Sequence, residues 1–326
     1  MTKLHFGWLL ASAALAVILL ALLFVSSDLD LAAIGRSLLG VRLGELGEIV
    51  LLLGVNNALA GEKWRLIALR LPPGNAAAMP RRLYFAFTSI GVALGQIVPA
   101  QLSLVLSRSI GAHLHGGRAL SRGMAATLFD YFFDVLVAAF FAAASILVLL
   151  TGGGERAWML CATAICLAGF LLFGSAARLL ASAARSLGAC GIDRLGALGA
   201  ALALSPLPTP AIGRRLLAIS LLRYAVLVQI GAVSAAAIGA DLTYWHIAAS
   251  LPFAVIANAL AITPGSLGVN EWTVSSALLA LGTPLPVSAE WALVNRVLVA
   301  VAAAVWGVAG VVFAAASRRP RPTRAD

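Results

Sequence analysis

Eight apolar runs fill this chain: residues 7–25, 46–69, 83–107, 123–150, 157–181, 214–238, 244–282 and 289–316. A helix needs about 20 apolar residues to cross the ~30 Å hydrocarbon layer of a bilayer. In a chain built of such runs, helices are the structures that satisfy their own backbone there. Composition agrees, at 61% hydrophobic and 11% charged, against roughly 45–50% and 25% in soluble domains. Too few polar side chains remain to coat a soluble globular protein. The reading is an all-α polytopic membrane protein, with residues 1–326 as a single transmembrane domain.

Charge placement removes a competing idea. A net charge of +10 on a soluble protein would suggest nucleic acid. Here the basic residues flank apolar runs, and no basic region is interleaved with aromatics that could stack on bases. They read as topology signals. Cys161, Cys166 and Cys190 are too few for a disulfide framework. The first run follows Lys3 and lacks a small-x-small cleavage site, so it is expected to be an uncleaved first helix rather than a signal peptide. The connections near 26–45 and 182–213 mix Leu and Ala with Arg and are expected along the interface. Residues 317–326 are expected to be a disordered basic tail.

Two runs are interrupted, 83–107 at Pro99 and 244–282 at Pro264. Proline removes an amide donor and clashes with the preceding turn, so each run is predicted to be two helical pieces around an irregular tip. The breaks also share Ile, Pro and Leu in register, in Ile97 to Ser103 and Ile262 to Gly268. If each run enters and leaves on one side as a hairpin, with the C-terminus inside, 18 of the 23 Lys and Arg lie inside. Lys63 and Arg108 are counted among them. Arg36, Arg42 and Arg156 lie outside, and Arg223 and Arg296 fall within spans. Single crossings would destroy this bias. The consequence is an inverted repeat, residues 1–150 and 157–316, each of three spanning helices plus one Pro/Gly-broken re-entrant hairpin. Transporters place their sites at such breaks. The alternative is that both prolines kink ordinary helices.

Asp130 and Asp134 are four residues apart on one helix face, some 12 and 18 Å in from Arg122 at about 1.5 Å per residue. Carboxylates at that depth face a cavity or a partner. They either serve the pathway or hold neighbouring helices together. Arg296 is the cation expected to meet them. It follows Pro264 by 32 residues, as Tyr131 follows Pro99, which places Asp130-Tyr131 and Asn295-Arg296 at equivalent points. In "PGSLGVNEW" a helix N-terminus is expected after Pro264, its free amides suited to a phosphate or carboxylate. Gly265 and Gly268 allow close approach, and Ser266 and Asn270 add hydrogen bonds. Glu271 either holds Arg296 or meets a cationic headgroup. Arg223 is expected to snorkel. His113 and His115 read as a loop pair, "TGGGER" at 151–156 as a turn, and Gly91 with Gly95 as a close-packing pair. "NNALAGEKWR" at 56–65 ends a span, with Lys63 and Arg65 as interfacial anchors.

Together these features resemble the transmembrane, flippase-like family typified by the membrane half of lysylphosphatidylglycerol synthases. "ITPGSLGVNEW" followed by Arg296 is similar to the family's Pro-Gly-Gly-x-Gly-x-x-Glu element and later Arg. Where the family has Pro-Gly-Arg-x-Gly-Glu, this chain reads Pro99, Ala100, Gln101, Leu102, Ser103 and Leu104. Where it has Glu-Arg-x-x-Asp, this chain has Asp130, Tyr131 and Asp134. The resemblance implies movement of a lipid or lipid-linked headgroup between leaflets. The candidate substrate-binding set is Pro99, Gln101, Ser103, Asp130, Tyr131, Asp134, Pro264, Gly265, Ser266, Gly268, Asn270, Glu271 and Arg296.

No catalytic residue, metal or cofactor is expected, since aminoacyl transfer in the synthases belongs to a separate soluble domain. The expected partner is a membrane lipid, with a lipid synthase as a further candidate and no nucleic acid. The expected location is the bacterial cytoplasmic membrane, with both termini cytoplasmic. The competing readings are a lipid-modifying membrane enzyme using Asp130 and Asp134 as acid and base, and a non-transporting partner of a lipid synthase.

Overall fold

The computed structural model describes residues 3–70, 79–116, 120–189, 210–260 and 263–317. The basic tail expected to be disordered and most of the second interfacial connection lie outside the described residues. Among the described residues every regular element is helical. In chain order they are α1 (Lys3–Ser27), α2 (Leu31–Gly40), α3 (Leu43–Ala68), α4 (Arg81–Leu94), α5 (Ala100–Gly116), α6 (Leu120–Thr151), α7 (Glu155–Ala189), α8 (Pro210–Ala237), α9 (Tyr244–Leu260), a 3-10 turn (Pro264–Ser266), α10 (Val269–Ala280) and α11 (Leu285–Ala316).

The helix ends follow from local chemistry. Asp30 caps α2 by accepting from the Ala32 amide at 3.0 Å. Glu45 reaches back to the Arg42 amide at 3.0 Å and starts α3. Gly152, at φ 65°, stops α6 and lets the Gly153 amide close on the Val148 carbonyl at 3.0 Å. "TGGGER" is therefore the turn its composition predicts.

Five helices, α3, α6, α7, α8 and α11, are long and apolar enough to cross a membrane. A sixth candidate is α1 with α2, bent by 91° between them. Outward-facing Leu160, Leu167, Leu171, Val308, Val311 and Val312 are exposed. Such a surface suits lipid rather than water. The four helices flanking the proline breaks are shorter: α4 has 14 residues, α5 17, α9 17 and α10 12. At 1.5 Å per residue none exceeds about 26 Å.

Helices α4 and α5 fold back on each other as an antiparallel hairpin. Ser103 donates to the Gly91 carbonyl at 2.9 Å and Ser107 to the Phe87 carbonyl at 2.6 Å. A Cβ on Gly91 would lie 3.0 Å from the Leu104 backbone, so this glycine permits the close packing. Helices α9 and α10 form the second hairpin, with Asn258 donating to Asn270 at 3.2 Å. Each hairpin leans on a long helix from the other half of the chain. Helix α4 runs antiparallel to α11, where Gly307 faces Ala93 and Gly310 faces the Ala86 carbonyl. Helix α9 runs antiparallel to α6, where Ser145 donates to the Ala249 carbonyl at 2.9 Å. Helices α3 and α8 also run antiparallel, joined by Lys63 to Ser220 at 2.8 Å and Arg223 to Asn56 at 3.2 Å.

Candidate functional site

The two proline breaks touch. Pro99 starts α5, its carbonyl accepting from the Ser103 amide at 3.1 Å, and the preceding turn carries Gly95 and Gln96. Pro264 opens the 3-10 turn, in which Gly265 and Ser266 both take positive φ, 57° and 58°. A Cβ on Gly265 would overlap the Gln96 carbonyl and lie 2.6 Å from the Arg296 guanidinium. Only glycine fits this crossing of the two tips. Around it lies a cavity of about 170 Å³ lined by Gly95, Gln96 and Ala100 from the first break, Asn258, Gly265, Ser266 and Asn270 from the second hairpin, and Asn295, Arg296 and Val299 from α11.

Arg296 is held at this wall by two bonds. One guanidinium nitrogen donates to Glu271 Oε1 at 3.0 Å, and the other to the Gly265 carbonyl. The second Glu271 oxygen accepts from the Gly268 amide at 2.7 Å. Glu271 is wholly buried and sits at the α10 N-terminus, where the helix dipole favours a carboxylate. The expected helix N-terminus after Pro264 is present. Of the amides expected there, Glu271 takes that of the N-cap residue, Gly268. Gly268, at φ 78°, lies where a Cβ would meet the Leu19 side chain at 2.5 Å. This contact seats α1 against the start of α10, with Trp272 donating to the Leu19 carbonyl at 2.7 Å.

Asp130 and Asp134 are elsewhere, and their expected pairing with Arg296 is overturned. Their cations are Lys63, Arg108 and Arg223. Lys63 Nζ lies 3.1 Å from Asp130 Oδ1 and 2.5 Å from Asp134 Oδ1. Arg108 donates to Asp130 Oδ2 at 2.6 Å, to Thr88 at 3.2 Å and to the Ala60 carbonyl at 3.2 Å. Its guanidinium also sits 5.2 Å from the Trp64 ring centroid. Arg223 donates to Asp134 Oδ2 and, at 3.2 Å, to Asn56. Lys63 and Arg108 are 0% exposed and Asp130 2%. The network ties α3, α5, α6 and α8 together, so the two carboxylates hold helices in this structure.

Several expectations change with this. Lys63 is not an interfacial anchor and Arg108 is not a loop charge, which removes two residues from the inside count. Arg223 pairs with Asp134 instead of snorkelling. The 32-residue offset does not carry matching partners, because the Tyr131 hydroxyl donates to the Val255 carbonyl at 3.3 Å while Arg296 holds Gly265. His113 and His115 belong to the last turn of α5 and not to a loop. Gln101 does not line the cavity, and Ser103 ties α5 to α4. Of the expected set, Gly265, Ser266, Asn270 and Arg296 line the cavity. Pro99, Pro264, Gly268 and Glu271 shape it.

Residues missed by sequence reasoning are Gln96, Asn258 and Asn295 at the cavity, and Lys63, Arg108 and Arg223 in the network. Ser103, Ser107 and Gly111 at intervals of four mark the face of α5 that meets α4, and Arg108 adjoins that stripe. Asn295 entered only beside Arg296 in the 32-residue offset, and Asn258 carried no pattern beyond being an amide in an apolar run. Among the described residues no group of three or more His, Cys, Asp or Glu could hold a metal ion.

None of the curated proteins compared matches the chain. The family model described as the lysylphosphatidylglycerol synthase TM region matches residues 10–307, nearly the whole sequence and every element that builds the cavity and the ion network. This membrane protein belongs to the lysylphosphatidylglycerol synthase TM region family.

Proposed function

We propose that the chain moves a lipid, or a lipid-linked headgroup, between the leaflets of a bacterial cytoplasmic membrane and carries out no chemistry on it. The observation that carries this reading is the meeting of two Pro/Gly-broken helices at a polar cavity that also receives Arg296. Broken helices are tolerated at membrane depth where they line a cavity, and transporters bind substrate there. A headgroup would pass the polar contact between the tips while its acyl chains stay in lipid.

The reading includes an inverted repeat with one re-entrant hairpin per half and both termini in the cytoplasm. Three features support it. The hairpin arms, of 12 to 17 residues, lie at or below the lower limit for crossing ~30 Å singly. Helix α4 lies along α11 as α9 lies along α6, and α3 lies antiparallel to its counterpart α8. The six long helices the repeat requires correspond to the five spanning candidates and the bent α1–α2 pair. The enzyme reading is less favoured, because each proposed acid or base is clamped by cations.

Reconstitution in vesicles with lipids of several headgroups tests the proposal. Protein-dependent movement of labelled lipid between leaflets is expected. Covalently altered lipid would replace the proposal with the enzyme reading, and inactivity relieved only by an added synthase with the partner reading.

A further inference from the structure

The walls of the cavity are rich in carboxamides. Gln96, Asn258, Asn270 and Asn295 converge on it with Ser266 and Arg296. Each carboxamide offers both donors and an acceptor, and a hydroxyl offers one donor and two acceptor sites. Among the described residues the one charge in this wall is already answered: Arg296 is paired with Glu271 at 3.0 Å and with the Gly265 carbonyl. At the α10 N-terminus the amide of the N-cap residue, Gly268, is answered by Glu271 at 2.7 Å. An entering anion would compete with Glu271 for Arg296 and set a second negative charge beside a carboxylate that is 0% exposed.

Hydrogen-bonding capacity, by contrast, is left over. Ser266 is 2% exposed, and its hydroxyl has no partner among the described residues. Asn258 Oδ1 is likewise buried and without one. Buried polar groups are normally satisfied, so two at one cavity indicate a guest that supplies the missing partners. The volume of about 170 Å³ is below the roughly 300–1,000 Å³ of clefts that enclose whole drug-sized ligands. It admits a headgroup and leaves acyl chains outside.

We propose that the cavity where the two breaks meet binds an uncharged polyhydroxyl group, a sugar or polyol, in preference to a phosphate. This rests on the lipid-transport reading for its source, the headgroup of a glycolipid. Sugar hydroxyls both donate and accept, which matches carboxamides and a free serine hydroxyl and needs no charge-assisted contact.

The test is thermal unfolding of the purified chain in an amine-oxide detergent, which carries no sugar, with dioctanoyl glucosylglycerol as probe. Dioctanoylglycerol, dioctanoyl phosphatidate and methyl glucoside are the comparison arms. The glucosyl lipid is expected to raise Tm, and dioctanoylglycerol and phosphatidate are not. Methyl glucoside acting as strongly as the glucosyl lipid would assign the site to a free sugar and overturn the glycolipid source. Ser266→Ala removes a hydroxyl that has no partner among the described residues, so its Tm without ligand should match wild type. Its half-saturating concentration of glucosyl lipid should rise about fivefold, the worth of one ordinary hydrogen bond. Stabilisation by phosphatidate equal to that by the glucosyl lipid, or an unchanged half-saturation in Ser266→Ala, would overturn the inference. Glucosyl lipid that binds in a protein moving no lipid would sink the transport reading alone. Movement of charged lipids without glucosyl binding would sink the headgroup inference alone.

Discussion

Arg296 and Glu271 pair at 3.0 Å across the broken second hairpin, and the carboxylate binds the guanidinium through one oxygen and the Gly268 amide through the other. One side chain thus closes a helix end and fixes the only charged residue that lines the cavity among the described residues. Arg296→Ala leaves a wholly buried carboxylate without its cation and is expected to lower stability by about 3 kcal/mol. Arg296→Ala with Glu271→Gln should regain most of that loss, because no buried charge is then orphaned. Thermal unfolding of wild type, both single variants and the double variant measures this coupling. Additive losses would show that the two side chains do not depend on each other.

In the other cluster three cations face two carboxylates, so the partners are not equivalent. Asp130→Asn leaves Lys63, Arg108 and Arg223 around Asp134 alone, whereas Lys63→Met leaves two cations for two carboxylates. The first should destabilise by about 3–5 kcal/mol and the second by clearly less. Comparing the two Tm values settles the order, and a costlier Lys63→Met would contradict this charge count.

Gly265 stands at φ 57° with the Gln96 carbonyl and Arg296 against it. Gly265→Ala adds backbone strain and forces the tips apart, at a cost of about 1–3 kcal/mol for the strain alone. Gly44→Ala, at a helical position with nothing within 4 Å, is the control and should leave stability within about 0.5 kcal/mol of wild type. Equal Tm values for the two variants would mean that the tips do not need this close approach.

The proposed topology puts the α5–α6 connection and the α6–α7 turn on opposite faces of the membrane. In a cysteine-free background, Ser121→Cys should react with an impermeant maleimide only from the cytoplasm, and Gly153→Cys only from outside. Outside labelling of Ser121→Cys would remove the first hairpin and the inverted repeat with it.

Much of the fold was legible because hydrocarbon imposes a length rule. The apolar runs become α1, α3, α6, α7, α8 and α11, and Pro99 and Pro264 mark the two places where α4–α5 and α9–α10 divide. The Arg296–Glu271 pair was one of two roles open to Glu271, and it was readable because both are charges interrupting apolar sequence, Glu271 in the first turn of its helix and Arg296 within a span. The ion network was not. Charge counting assigns a Lys or Arg near a span end to a loop, and Lys63 and Arg108 sit within one or two turns of such ends. Their burial follows from which helix faces meet, and that is a property of packing. The amides around the cavity were hidden for a related reason: Asn258 and Asn295 acquire meaning only when α9 and α11 bring them to the same break.

Passage of a headgroup between the two tips is tested most directly by blocking it. Gln96→Cys, in a cysteine-free background and reconstituted with the labelled lipid the protein moves, places one thiol at the cavity wall. Before modification the variant should still move lipid well above the level of protein-free vesicles, though more slowly than wild type because one cavity carboxamide is gone. After attachment of a bulky thiol reagent, movement should fall to the level of protein-free vesicles, and reduction of the adduct should restore it. Complete labelling with undiminished lipid movement would contradict the account.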